Sequence, residues 1–458
     1  MKAIKQQLYF VGIGGIGMSA LARYFHQLGH KVVGYDRTIT VLTKRLQSEG
    51  IIVNYVDDAD LIPFSHRDTA ETLVIYTPAI PADNAILNHF KKEGFECVKR
   101  AAILGILSKQ FKTIAVSGTH GKTTISSMIA FLLNKGGVKV NAFLGGISRD
   151  FGTNLLLDKD AEWMVTEADE FDRSFLQLNP EKLVISSLDA DHLDIYSDRE
   201  DLVKTYAMLV AQVKKDGLLV CKPTVFDELK EQLPKNTETY QLSGDSTIKA
   251  EQIRVENGNL IFNYVSDKVT IKDILCGLPG QHNVENALAA IRIALEFDIS
   301  TDKIKSAMAS FLGVKRRFDV HVKTDEVVYI DDYAHHPEEV RALIESVKML
   351  YPGKKITAIF QPHLFSRTRD FGDEFAKVLG LADELILLEI YPAREQPIEG
   401  IDAMWLSKKI NKTNVPVCQK HQLINVLKNR ELKVLLTIGA GDIDTMIDPI
   451  INFIESQE

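Results

Sequence analysis

Short Val/Ile/Leu-rich runs alternate with longer amphipathic runs along almost the whole chain, and this alternation limits the possible folds more than any other feature. Apolar runs of strand length need crossover helices to cover them, so the pattern predicts parallel sheets with helices packed on both faces. Leu8-Tyr9-Phe10-Val11 reads as a first strand, followed by a glycine loop and a helix with Met18, Leu21, Phe25 and Leu28 on one face. Gly29 ends that helix, residues 32–36 form a second strand, and a further strand over 73–76 stops at Thr77-Pro78. A second unit opens with Thr113-Ile114-Ala115-Val116 and another glycine loop, and continues through strands at 163–166 and 183–186. Between about 245 and 275 strict alternation takes over, with Asn257-Gly258 between two such runs; this is a hairpin signal and predicts a small antiparallel sheet. A helix is expected over 284–296, with Val284, Leu288, Ile291 and Leu295 on its apolar face. A third unit begins near Lys315, with strands at 327–330, 355–360, 384–390 and 434–438. At about 150 residues per domain, 458 residues suggest three α/β domains, over 1–108, 109–314 and 315–458.

Composition removes several classes of function. With 45% hydrophobic and 25% charged residues, the chain reads as an ordinary globular protein. A net charge of −8 without a basic block argues against a nucleic-acid phosphate backbone as partner. No run of 18 apolar residues exists to span a membrane, and the basic start leads into a glycine motif rather than a signal peptide. Cys97, Cys221, Cys276 and Cys418 lie far apart without Cys-x-x-Cys spacing, which predicts reduced thiols and a cytoplasmic location.

Two glycine loops carry the first chemistry. Gly12-Ile13-Gly14-Gly15-Ile16-Gly17 sits between a strand and a helix, where glycines admit a diphosphate and the helix N-terminus offers N–H donors. Asp36, ending the next strand, is placed to meet a ribose or base. NAD, another diphosphate ligand and a structural turn all fit this loop. Ser117-Gly118-Thr119-His120-Gly121-Lys122-Thr123-Thr124 is sharper, because it also follows a strand and ends in Gly-Lys-Thr. Lys122 would reach β- and γ-phosphates and Thr123 a Mg²⁺ ion, although Val116 replaces the first glycine of the full phosphate-loop pattern.

The strand ends that follow are acidic. Glu167-Ala168-Asp169-Glu170 closes one and Asp189-Ala190-Asp191-His192-Leu193-Asp194 another, and strand carboxyl ends face the ligand crevice in open α/β sheets. Their oxygen ligands suit Mg²⁺, with an imidazole completing a second site. In Gly280-Gln281-His282-Asn283-Val284-Glu285-Asn286, Asn283 can read a purine edge or phosphate, or cap the helix. Arg316-Arg317 could swing a guanidinium onto a transferring phosphoryl group, or form a surface ion pair. Asp331-Asp332-Tyr333-Ala334-His335-His336-Pro337 links a strand to a helix and favours substrate contact over structural capping or metal, since no Cys or third His sits at ligand spacing. Gln361-Pro362-His363, with Arg367 and Arg369, is another polar strand end suited to anions.

Taken in order, these segments resemble the Mur ligases, the ATP-dependent amino-acid ligases of peptidoglycan precursor synthesis. The resemblance runs from Gly12 to Gly439-Ala440-Gly441-Asp442. The first glycine motif, Glu167-Ala168-Asp169-Glu170, Asp332-Tyr333-Ala334-His335-His336-Pro337 and Gln361-Pro362-His363 are similar to those of the members that join L-alanine to UDP-N-acetylmuramate. The resemblance implies a Rossmann-like N-terminal domain for the UDP-sugar, a central P-loop ATPase-like α/β domain with a small antiparallel sheet, and a Rossmann-like C-terminal domain for the amino acid. It implies that Gly14, Gly15 and Gly17 face the uridine diphosphate, where Asp36 is already expected at a ribose or base. Gly118 to Thr124 with Asn283 and Asp332 would hold ATP, and Thr123, Glu167 and His192 the metal. Arg317 would contact the phosphates, and His335 or His336 would face the incoming amino acid.

Two departures stand out. Phe171 occupies a position where the family usually has serine, beside the acidic motif. Ala207 stands where sister ligases carry a carbamylated lysine, which the L-alanine ligases also lack, so no carbamate is expected. The implied substrates are UDP-N-acetylmuramate, L-alanine and ATP, joined through an acyl phosphate as separate domains close. A tripeptide ligase of cell-wall recycling, an NAD-dependent dehydrogenase and a non-catalytic nucleotide-binding regulator are the alternative readings.

Overall fold

The computed structural model describes residues 4–189, 196–256, 259–393, 395–412 and 415–457. Its first sheet contains β1 (Gln7–Val11), β2 (Lys31–Tyr35), β3 (Ile52–Asn54), β4 (Thr72–Tyr76) and β5 (Glu96–Lys99) in the order β3-β2-β1-β4-β5. All its pairings are parallel. Alternation along β1 separates two cores. Leu8 and Phe10 pack with the helix Ile16–Gln27, while Tyr9 and Val11 pack with the helix Ala85–Lys92. The strand order reverses between β1 and β4, so the crevice for a ligand opens where Gly12 leaves β1 and Thr77 leaves β4. Gly12 is held at φ +86°, and a Cβ there would lie 2.8 Å from the Thr77 methyl, so only glycine fits this turn.

The central sheet contains β6 (Lys112–Ser117), β7 (Val140–Ser148), β8 (Thr153–Leu156), β9 (Trp163–Glu167), β10 (Lys182–Ile185), β11 (Leu218–Cys221), β12 (Thr237–Gln241), β13 (Ile248–Glu256), β14 (Asn259–Ser266) and β15 (Thr270–Cys276). Its order is β15-β14-β13-β12-β11-β10-β6-β9-β7-β8. β6 lies parallel to both β10 and β9, while β7 and β8 pair antiparallel. The alternating segment forms adjacent strands β13, β14 and β15; the Asn257-Gly258 turn lies outside the described residues. The expected helix is observed over Gln281–Leu295.

The third sheet contains β16 (Asp319–Lys323), β17 (Val328–Asp332), β18 (Ile356–Phe360), β19 (Glu384–Leu388), β20 (Val417–Cys418) and β21 (Val434–Ile438) in the order β16-β17-β21-β18-β19-β20. Its pairings are parallel except for β16 with β17. Both faces are covered. Ile330, Ala358, Leu387 and Leu436 point into one core, and Tyr329, Ile359, Ile386 and Leu435 into the other.

The chain forms two compact units, one of Met1–Lys249, Tyr264–Thr270 and Asn286–Met308, the other of Ala250–Asn263, Ile271–Glu285 and Ala309–Glu458. In the first unit the two sheets share apolar packing, because Phe143, Leu155 and Met164 join the core of Leu8, Phe10 and Leu21. Asn154 reinforces that junction by donating to the Ile16 carbonyl (2.6 Å) and the Ser19 hydroxyl (3.0 Å). All four cysteines are free thiols; three are buried and Cys97 is half-buried. Among the described residues, no helix is long and apolar enough to cross a membrane.

Candidate functional site

In the first unit, a cavity of about 440 Å³ opens at the reversal point of the first sheet. Gly15 and Gly17 line it, as do Asp36, Lys99, Arg100, Asp169 and Phe171. Gly14 bonds within the protein. Its N–H donates to Asp36 Oδ2 at 2.8 Å, and Asp36 Oδ1 accepts from the Thr38 N–H at 3.0 Å. The Asp36 carboxylate thus braces the glycine loop, and Gly14 is small because Thr43 and Asp36 crowd it. Lys99 and Arg100 were not singled out in the sequence, although their adjacency at a strand-to-helix junction was the available signal. Lys99 Nζ lies 2.6 Å from Asp172 Oδ2, and an Arg100 nitrogen 3.9 Å from Asp169 Oδ2. The Arg100 guanidinium lies where a Cβ on Gly17 would be, so this cation sits directly against the start of the helix.

The second glycine loop is built by three parallel strands. Register pairs Val116 of β6 with Glu167 of β9 and Ser117 with Ile185 of β10, so Gly118 to Lys122 and the acidic end of β9 meet. Gly118 (φ +117°) leaves room for Ser186 and Ser187, and Gly121 (φ +83°) for the Asn286 amide. Ser186 Oγ donates to the His120 carbonyl, and Thr119 Oγ1 donates to the Asp189 carbonyl at 3.0 Å. Asn286, three residues beyond Asn283 on one helix, is therefore a residue of this site. Asn283 itself is buried, with its amide donating to the Pro279 carbonyl at 2.6 Å.

Lys122 is the focus. Its ammonium donates to the Gly118 carbonyl at 2.7 Å and to both Glu170 oxygens at 2.8 and 2.9 Å. Burial works against that charge, but Glu170, Asp169 and Glu167 outweigh it and hold the pKa above the ordinary lysine value. Glu167 Oε1 accepts the Gly145 N–H at 2.9 Å. Burial lifts its carboxyl above the ordinary range against the pull of Thr123, Lys122 and that N–H. Gly145, inside β7, borders this carboxylate and is a position that sequence reasoning missed; a glycine pair in a strand-like run signals close approach of another group. His192 lies outside the described residues. Among the described residues, no three His, Cys, Asp or Glu side chains gather as a metal cage.

In the second unit, the guanidiniums of both adjacent arginines lie over the Tyr333 ring, 5.2 and 5.1 Å from its centroid, but their polar partners differ. Arg316 turns inward, its Nε 3.2 Å from the fully buried Asp331 and its other nitrogens on the Gly441 (3.1 Å) and Gly439 carbonyls. Arg317 stays half-exposed, 3.9 Å from Glu339, with its guanidinium over the Tyr333 ring. Asp332 accepts the Phe318 and Ala334 N–H groups, both at 2.7 Å, and burial raises its pKa to about 6 against Arg317 and those bonds. The histidines diverge too. His336 precedes the helix Pro337–Leu350 and packs its ring on Phe371 (4.8 Å), whereas His335 meets His363 edge-on (6.1 Å). His335 Nδ1 lies 3.0 Å from the Tyr333 carbonyl, which only accepts, so Nδ1 carries the proton and Nε2 of the neutral ring is an acceptor. Burial holds this imidazole below the ordinary histidine pKa, opposed by Glu339 and reinforced by Arg367 and Arg317.

A methyl group at position 145 would collide with the Glu167 carboxylate. Gly145→Ala should therefore lower turnover about 100-fold, as a misplacement near 1 Å does, while the thermal midpoint stays close to wild type. Steady-state kinetics with a melting curve checks this; an unchanged kcat would contradict the assignment.

Comparison with known proteins follows the same segments. Residues 7–112 match the Mur ligase family catalytic domain, 116–294 the Mur ligase middle domain, and 316–441 the Mur ligase glutamate ligase domain. The UDP-N-acetylmuramate–L-alanine ligase of Christiangramia forsetii is 47% identical over 446 residues, covering 97% of each chain. The crystal structure of the UDP-N-acetylmuramate–alanine ligase of Thermotoga maritima superposes with a TM-score of 0.84 at 28% identity, covering 99% of this chain and 100% of the other. The murein peptide ligase of Psychrobacter arcticus shares the fold, with a TM-score of 0.70 at 20% identity over 98% of each chain. With all three domain models matched in order and a relative at 47% identity along nearly its whole length, the chain belongs to the Mur ligase family.

Proposed function

We propose that this protein uses ATP to join L-alanine to the carboxylate of UDP-N-acetylmuramate, supplying a peptidoglycan precursor in the cytoplasm. The observation that carries the reading is the end-to-end match to an alanine ligase at 47% identity. The arrangement of charge supports it. A substrate carboxylate approaching a triphosphate meets like charge, at a cost of roughly 4 kcal/mol at 4 Å and an effective dielectric of 20. Lys122 and Arg317 offset that repulsion and the charge developing during transfer. The γ-phosphate competes with Glu170 for the Lys122 ammonium.

Mg²⁺ fits this donor set, since that ion is commonly held by one or two carboxylates together with substrate phosphates rather than by an all-protein cage. Thr123 and Glu167 would hold it, with His192 as the further expected ligand. When bound, it would neutralise phosphate charge. Asn286, beside Gly121, extends the ATP set expected of Gly118 to Thr124, Asn283 and Asp332. Gly15 and Gly17, with Lys99 and Arg100, would take the diphosphate of the UDP-sugar, and the Asp36-braced loop would set its position.

The substrate carboxylate oxygen attacks the γ-phosphorus, and ADP leaves. The amine of L-alanine then attacks the acyl phosphate, and phosphate departs from the tetrahedral intermediate. Before that attack the ammonium must lose a proton, and His335 accepts it at Nε2. His363 and Arg367 suit the amino-acid carboxylate. The alternative, attachment of a tripeptide to the same sugar, rests on peptide ligases at 20 and 25% identity, against 47% for the alanine ligase. Family membership sets the dehydrogenase aside.

Phosphate release is expected only when Mg-ATP, UDP-N-acetylmuramate and L-alanine are all present. Lys122→Ala should abolish it while leaving UDP-sugar binding by calorimetry largely intact. Release with the tripeptide but not with L-alanine would overturn the reading, and equal loss of both functions in the variant would overturn the division of labour. For His335, the neutral form is the active one, so kcat should fall on the acid side with a midpoint below the ordinary histidine value of about 6.5. His335→Asn should lower kcat at least 100-fold and abolish that acid limb; a variant retaining the limb would exclude this base.

A further inference from the structure

Phe171 lines the first-unit cavity in company with Asp169, Asp172 and Ser174. The chain holds it there at some conformational expense. Asp172 and Arg173 adopt left-handed backbone conformations, φ +54° and +51°, in an otherwise helical turn. Such strain in non-glycine residues persists only where the surroundings impose it, and it gathers at ligand sites. Here Lys99 clamps Asp172 at 2.6 Å, and Arg173 forks onto both oxygens of Asp201 at 2.9 and 2.7 Å. The reversal sends Phe175 into the core against Tyr206, with ring centroids 5.0 Å apart, and leaves Phe171 half-buried at the cavity.

The position along the cavity identifies what meets the ring. Glu170, the preceding residue, binds the Lys122 ammonium at 2.8 Å, and the carboxylate to be phosphorylated must arrive near that ammonium. The glycine loop marks the diphosphate, and the segment 169–174 marks the reacting end. Asp169 and Asp172 carry charge at that end, each beside a cation. Phe171 adds an apolar surface to the same cavity lining, where a serine would offer none.

We infer that Phe171 is a specificity-determining residue, its ring packing on the C–H face of the N-acetylmuramyl group or its lactyl arm. The inference rests on the sugar-nucleotide reading above. Aromatic rings in mostly apolar, partly polar cavities hold ligands in this way through contact area and C–H contacts. The ring also walls water away from the acyl phosphate.

Steady-state kinetics of Phe171→Ser and Phe171→Tyr, with all three substrates varied, tests this. Phe171→Ser should raise KM for UDP-N-acetylmuramate about 10-fold, or about 1.4 kcal/mol. KM for ATP should stay within about twofold of wild type, the ratio of phosphate released to amide formed should rise above one, and Phe171→Tyr should restore both. An unchanged KM for the sugar nucleotide, or a parallel rise for every substrate, would overturn it. Should Phe171→Ser not fold, Phe171→Trp supplies a reporter. Its fluorescence, measured against wild type, should change saturably with UDP-N-acetylmuramate and far less with UDP. Equal responses, or none at saturation, would overturn the assignment. Wild-type phosphate release runs alongside; its failure to require all three substrates would remove the underlying reading instead.

Discussion

The buried ammonium of Lys122 is the interaction on which the rest of the first unit depends. Placing a charge there requires acceptors for all three of its protons, and the Gly118 carbonyl and the two Glu170 oxygens supply them. Those acceptors are available only because β6 and β9 run parallel in a register that sets Val116 beside Glu167. Glycine follows from the same geometry. Positions 118 and 121 need left-handed backbone, and position 145 must leave space for a carboxylate. The proposed role as a phosphate ligand follows from the same pairing, since an anionic substrate could take the place of the carboxylate partner.

The two glycine loops show how one motif serves two ends. In the second, the Thr119 and His120 N–H groups bond to Ser187 and the lysine ammonium is held by Gly118 and Glu170. In the first, Asp36 takes the Gly14 N–H, so the loop is braced by an internal anion, while Lys99 and Arg100 supply the positive charge from a different strand-to-helix junction. The third sheet repeats the division between bracing and binding in adjacent residues. Arg316 closes a buried network with Asp331 and Thr437, and Arg317 and His335 remain at the strand ends where substrate chemistry is expected.

What the sequence discloses is what short-range pattern encodes. Aliphatic runs such as residues 113–116 and 434–438 are strands because their side chains need burial on both faces, and the two glycine loops are legible because strand, glycine and helix are contiguous. The strand Val140–Ser148 is hidden by Gly145 and Gly146, which read locally as breakers although one of them makes room for Glu167. Arg316 and Arg317 are indistinguishable in sequence; a backbone φ of +63° at Arg316 and partners more than a hundred residues away at Gly439 and Gly441 separate them. His335 and His336 are likewise divided by tertiary contacts, one with the Tyr333 carbonyl and one with Phe371. The bracing role of Asp36 has the same origin, since its bonds to the Gly14 and Thr38 N–H groups depend on how the glycine loop folds back on β2.

The central claim is that charge at the strand ends activates a carboxylate by phosphorylating it. Transfer of ¹⁸O tests this most directly, using UDP-N-acetylmuramate labelled in its lactyl carboxylate together with Mg-ATP and L-alanine. Passage through an acyl phosphate requires one labelled oxygen to leave in the inorganic phosphate for each amide formed. Amide formed with unlabelled phosphate, the lost oxygen appearing in AMP or in water instead, would contradict the account.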